Sequence, residues 1–67
     1  MHLSRRQEEI ILLICEGRSN KEIGKKLDVS PRTVESHLQR LYTQHKVHSR
    51  TALVVKWLRE QSPAEED

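Results

Sequence analysis

A chain of 67 residues holds one domain, and a domain of that size buries only roughly 60% of the surface its unfolded form exposes. With 34% hydrophobic and 33% charged residues, one Trp, one Tyr and no Phe, its core is built mainly from Ile, Leu and Val, and a single cysteine excludes both an intramolecular disulfide and a four-cysteine zinc site. The net charge of +2 is unevenly spread: residues 18–50 carry eight basic side chains against three acidic ones, whereas Glu65, Glu66 and Asp67 add three negative charges at the end.

No stretch alternates apolar and polar residues for long, and Gly and Pro are read as ending or beginning helices, so an all-α fold is expected. The first helix opens at Ser4, whose hydroxyl caps the free backbone N–H groups while Gln7 reaches back. Ile10, Ile11, Leu13 and Ile14 form its buried stripe, and Gly17 stops it. A second capping box, Ser19-Asn20-Lys21-Glu22, opens a short helix in which Ile23 and Leu27 share a face. Asp28 and Val29 make a tight connection to Ser30, which caps a third helix beginning at Pro31 and running to about Lys46. A turn through Val47 and His48 leads to Ser49, the expected cap of a fourth helix carrying Leu53, Val54, Val55, Trp57 and Leu58. Residues 1–62 are expected as the folded domain, and Pro63 to Asp67 as a disordered acidic tail.

On a helical wheel the third helix turns Val34, Leu38, Leu41 and His45 inward, with Tyr42 at the edge of the stripe. Its opposite side collects Arg32, Ser36, Gln39, Arg40 and Thr43, with Thr33 and Lys46 at the margins and Glu35 on one flank. A solvated face has this composition; so does a face that reads a major groove, where Gln pairs with adenine, Arg with guanine, and Ser or Thr with several base edges. A short helix, a three-residue turn and a longer helix is the spacing of a helix-turn-helix.

Four blocks follow one another in a specific order: Leu3-Ser4-Arg5-Arg6-Gln7, Glu16-Gly17-Arg18-Ser19-Asn20-Lys21-Glu22-Ile23, Val29-Ser30-Pro31-Arg32-Thr33-Val34-Glu35-Ser36-His37-Leu38 and Val47-His48-Ser49-Arg50-Thr51. In order and spacing they resemble the LuxR-type (GerE-like) DNA-binding domain over about residues 3–60. The resemblance implies a four-helix bundle whose second and third helices form the helix-turn-helix. It implies sequence-specific binding of double-stranded DNA in transcription regulation, by weak homodimers formed through the fourth helix on inverted-repeat operators. By position it implies base reading by Glu35, Ser36 and Gln39. Phosphate contacts fall to Asn20, Lys21, Thr33, His37, Arg40 and Arg50, with Arg32 close by. Family members often carry an N-terminal receiver or ligand-binding domain, so the chain is expected to be either the effector domain of a response-regulator type of protein or a small stand-alone regulator.

Three departures from the family pattern stand out. Gln7 replaces a common Glu and still caps, without an ion pair to an arginine. Glu35 replaces a residue that is often Lys; an acid there repels phosphate, so it accepts from cytosine N4, pairs with a neighbouring cation, or points away. Gln44-His45-Lys46 replaces Lys-Leu-Gly, so either the helix runs on or Lys46 is forced into a strained turn.

The remaining residues carry weaker signals. Cys15, one turn after Ile11, reads as a small buried or half-buried structural thiol. His37, His45 and His48 lack a completing carboxylate, so neither a metal nor any other cofactor is expected, and no acid–base pair or activated nucleophile suggests an enzyme. On the fourth helix Val54 with Leu58 and Leu53 with Trp57 make two apolar stripes, wider than a small bundle needs, and Leu53 and Trp57 are expected at the dimer contact. The longest apolar run, Ile10 to Cys15, is six residues, far short of the ~20 that span a bilayer. With no export signal apparent, a cytoplasmic place and no membrane partner are expected. The other open reading is a helix-turn-helix-like interaction module that docks on another regulator or on RNA polymerase, a reading that Glu35 and the acidic tail favour.

Overall fold

A computed structural model describes residues 2–61, the side chain of Gln61 excepted, and the expected tail lies outside them. It contains four helices: α1 (Arg5–Cys15), α2 (Asn20–Leu27), α3 (Pro31–His45) and α4 (Arg50–Gln61). No strand occurs among the described residues, and none of the helices is long and apolar enough to cross a membrane.

Each helix starts at a serine. Ser4 Oγ accepts from the Gln7 N–H at 3.1 Å while the Ser4 N–H donates to Gln7 Oε1 at 2.9 Å. Ser19 and Glu22 repeat the reciprocal pair at 3.2 and 2.9 Å. Ser30 Oγ accepts from the Thr33 N–H at 3.1 Å, with Pro31 in the first turn where its missing N–H costs nothing. Ser49 Oγ accepts from the Ala52 N–H at 3.1 Å. A cap of this kind stabilises a helix by about 1 kcal/mol.

The helix ends divide by chemistry. After α1, Gly17 takes φ +84°, a conformation that glycine reaches cheaply, and the N–H groups of Gly17 and Arg18 close back on the carbonyls of Ile14 and Leu13. After α2 and α3 the left-handed position is held by Asp28 at φ 61° and Lys46 at φ 57°. The helix therefore stops at His45 and Lys46 makes the strained turn. The Val47 N–H donates to the Tyr42 carbonyl at 3.0 Å, and both side chains pack on the core.

The core comprises Ile10, Ile11, Ile14, Ile23, Val34, Leu38, Leu41, Leu53 and Trp57, aliphatic except for one indole as the composition requires. Burying each aliphatic side chain contributes roughly 1.5–3 kcal/mol. Leu13, Leu27 and Tyr42 are half-buried at its edge.

Three expectations are corrected. Leu53 is 0% and Trp57 9% exposed, because α4 packs against both α1 and α3 on that side, so neither side chain remains for a second copy. The face of α4 left outside carries Val55, 44% exposed, and Leu58, 50% exposed. Cys15 is exposed: it ends α1, and the chain turns away at once through Glu16 and Gly17. Gly24 lies in the middle of α2 and is buried, not at a helix end.

Candidate nucleic-acid interface

The helix-turn-helix depends on how closely the turn returns to α2. The Val29 N–H donates to the Gly24 carbonyl at 2.9 Å. A Cβ at Gly24 would stand 2.5 Å from the Val29 carbonyl oxygen and 3.4 Å from the Pro31 nitrogen. Only a residue without a side chain lets the turn lie so close to α2. The spacing motif alone did not reveal this role. The signal for it is a glycine five residues ahead of the turn's Val29, facing the connection rather than closing the helix.

With Val34, Leu38 and Leu41 buried beneath it, the outer face of α3 faces solvent. Arg32, Thr33, Glu35, Ser36, Gln39, Arg40 and Thr43 are all exposed, and His37 is half-buried. The ion pairs among the described residues are Arg6 with Glu9 at 3.7 Å and Arg18 with Glu16 at 3.2 Å, both away from α3. Glu35, Arg32 and Arg40 consequently have no ion-pair partner among the described residues. Of the three fates expected for Glu35, pairing with a neighbouring cation is not seen among the described residues. The Thr33 hydroxyl lies 3.1 Å from Ser30 Oγ, inside the cap.

Gln39 and Thr43 border two shallow depressions. One continues to Arg40 and Gln44; the other is lined by Tyr42, Val47 and His48. His48, which the sequence placed only in a turn, thus joins the surface of Gln39. The turn after Lys46 folds it back there, a consequence of the left-handed stop that periodicity does not report.

At the start of α2 the backbone N–H groups of Asn20 and Lys21 find no partner among the described residues, the usual condition of a helix N-terminus that attracts anions. Lys21 is exposed and Asn20 half-buried. Arg50, at the start of α4, is half-buried and turned inward: Nη1 donates to the Arg18 carbonyl at 3.2 Å and Nη2 donates to Asn20 Oδ1. Asn20 and Arg50 are therefore brought together, not set side by side on the surface.

Two polar contacts brace the far end of α3. Gln7 Nε2 donates to Gln44 Oε1 at 3.0 Å, and Lys56 Nζ donates to the His45 carbonyl at 2.9 Å, a cation on a helix C-terminus. Beneath that contact His45 Nε2 is buried without a hydrogen bond. Burial first, and the Lys56 charge second, hold the imidazole below its usual pKa, against a smaller opposing pull from Glu60. Among the described residues no group of His, Cys, Asp and Glu is arranged to hold a metal.

The sequence profile of bacterial regulatory proteins of the luxR family matches residues 1–57. The chain is 49% identical over 49 residues to YhjB of Escherichia coli (strain K12), a match covering 73% of this chain and 24% of YhjB. It is 40% identical over 53 residues to the transcriptional regulatory protein LiaR of Bacillus subtilis (strain 168), covering 79% of this chain and 25% of LiaR. To the oxygen regulatory protein NreC of Staphylococcus aureus (strain JH9) it is 46% identical over 52 residues, covering 78% and 24%. The chain thus spans about a quarter of the length of these relatives.

Proposed function

The chain belongs to the luxR family of bacterial regulatory proteins, and from that premise we propose that it binds double-stranded DNA in transcription regulation, with α3 in the major groove and no catalytic role. The observation that supports the reading is the exposed polar face of α3, brought against α2 by the close turn at Gly24. Glu35, Ser36 and Gln39 read base edges. Lys21, Arg32 and Arg40 supply the charge that phosphates require, and Asn20, Thr33 and His37 add hydrogen bonds. The chain acts in the cytoplasm as a weak homodimer on an inverted-repeat operator. Because the core absorbs Leu53 and Trp57, the contact between copies falls to Val55 and Leu58 on the outside of α4.

The test is equilibrium binding to random-sequence duplex DNA as salt is raised. Binding is expected at low salt, falling with a logarithmic slope of about −0.9 per phosphate neutralised. The unpaired carboxylate of Glu35 supports a second reading, an interaction module that docks on another regulator or on RNA polymerase. A folded chain with no affinity for DNA at low salt would overturn the first reading and leave this one standing.

A further inference from the structure

The guanidinium of Arg50 reaches from the first residue of α4 across to the α1–α2 connection and the first residue of α2. A planar guanidinium offers its donors as a rigid fork, and here two separate N–H arms serve two acceptors of one local segment. Both acceptors belong to the chain. The Asn20 amide is fixed by this contact: its Oδ1 accepts from Arg50, so its Nδ2, with two donors, is directed away from the guanidinium. Asn20 and the neighbouring Lys21 also present the free backbone N–H groups of α2. Without Arg50 the amide is free to rotate and to offer an acceptor oxygen, which a phosphate repels.

We infer that Arg50 is a positioning residue rather than a phosphate ligand: by holding Asn20 Oδ1 and the Arg18 carbonyl it aims the Asn20 amide donors at a DNA phosphate and fixes the start of α2 to the start of α4. The inference rests on the DNA-binding reading above. It differs from a direct contact in what it predicts for salt, because Asn20 is neutral and its hydrogen bonds release no counterion.

The experiment is a double-mutant cycle read in DNA affinity across a salt series, with thermal midpoints recorded alongside to separate folding from binding. Wild-type binding at low salt is measured first; its absence overturns the DNA-binding reading and this inference with it, whereas the remaining outcomes bear on Arg50 alone. Arg50→Gln is expected to weaken binding roughly tenfold while keeping the wild-type salt slope. A slope shallower by about 0.9 would mean that Arg50 neutralises a phosphate itself, and the inference fails. Asn20→Ala is expected to weaken binding roughly fivefold in the wild-type background and not at all in Arg50→Gln; independent losses overturn the coupling. Arg50→Lys keeps the charge but not the fork, so it is expected not to restore affinity, and full restoration would show that charge alone matters. Should Arg50→Gln not fold, Arg50→Lys combined with Asn20→Ala completes the same cycle.

Discussion

Lys46 shows how a single residue carries both a departure from pattern and its cost. A non-glycine residue in the left-handed region costs about 1–2 kcal/mol, against the roughly 0.5–1 kcal/mol of extra chain entropy that glycine surrenders on folding. The lysine is exposed and its side chain makes no hydrogen bond among the described residues. Lys46→Gly is therefore expected to stabilise the domain by about 0.5–1 kcal/mol and raise Tm by several degrees, measurable by calorimetry. His45 carries a cost of a different kind, one that depends on pH. Its folded pKa lies below the ordinary 6.5, so below that pH the unfolded chain binds more protons and stability falls as pH drops. His45→Leu is expected to flatten the stability profile between pH 7 and about pH 5 in urea titrations; an unchanged slope would assign the acid sensitivity elsewhere. On the outer face Gln39→Ala is expected to cost about 1–3 kcal/mol at operators carrying its preferred base and little at others. A uniform loss in a panel of binding sites would mean that Gln39 reads no base. The exposed face of α3 was legible because a helical period assigns each residue a side. The inward turn of Arg50 was not, since a long side chain reaches partners 30 and 32 positions away that no local pattern names.

At the level of elements, the helix starts were the most legible part of the fold. Ser4 with Gln7, Ser19 with Glu22, and Ser30 with Pro31 each write the whole signal within three residues. What lay beyond local reading was how elements touch. Which apolar stripe of α4 faces inward depends on where α1 and α3 lie, and Leu53 and Trp57 proved to be the inner pair. Gly24 is the sharper case, because two effects of opposite sign meet there. Helix propensity alone favours Ala over Gly by about 0.8–1 kcal/mol, yet the added Cβ would stand 2.5 Å from a backbone oxygen that has no side-chain freedom to yield. Overpacking of this kind costs about 1–3 kcal/mol. Gly24→Ala is accordingly expected to lower denaturant stability despite its better propensity, and to weaken DNA binding by tilting α3 against α2.

For the whole molecule, the total charge of +2 misleads, because the positive charge concentrates between residues 18 and 50 and the arginines on α3 have no ion-pair partner among the described residues. Dimer formation belongs to this scale as well. Val55 and Leu58 offer a small apolar patch, too little for a tight dimer in isolation, so association is expected to be weak in free solution and strengthened on DNA. Leu58→Lys is expected to abolish the concentration dependence of mass in equilibrium sedimentation while leaving the thermal midpoint within a degree or two. A variant that still associates like the wild type would place the contact on another face.

The serine caps have a consequence for how the chain reaches this arrangement. Each of Ser4, Ser19, Ser30 and Ser49 satisfies a backbone donor three residues ahead, so every helix is told where to begin by its own immediate neighbours. The helices, between 8 and 15 residues long, are marginal in isolation, so the caps fix where each begins and packing makes it persist. Small helical bundles fold in microseconds to milliseconds, so refolding of this domain from denaturant is expected to be complete on that timescale.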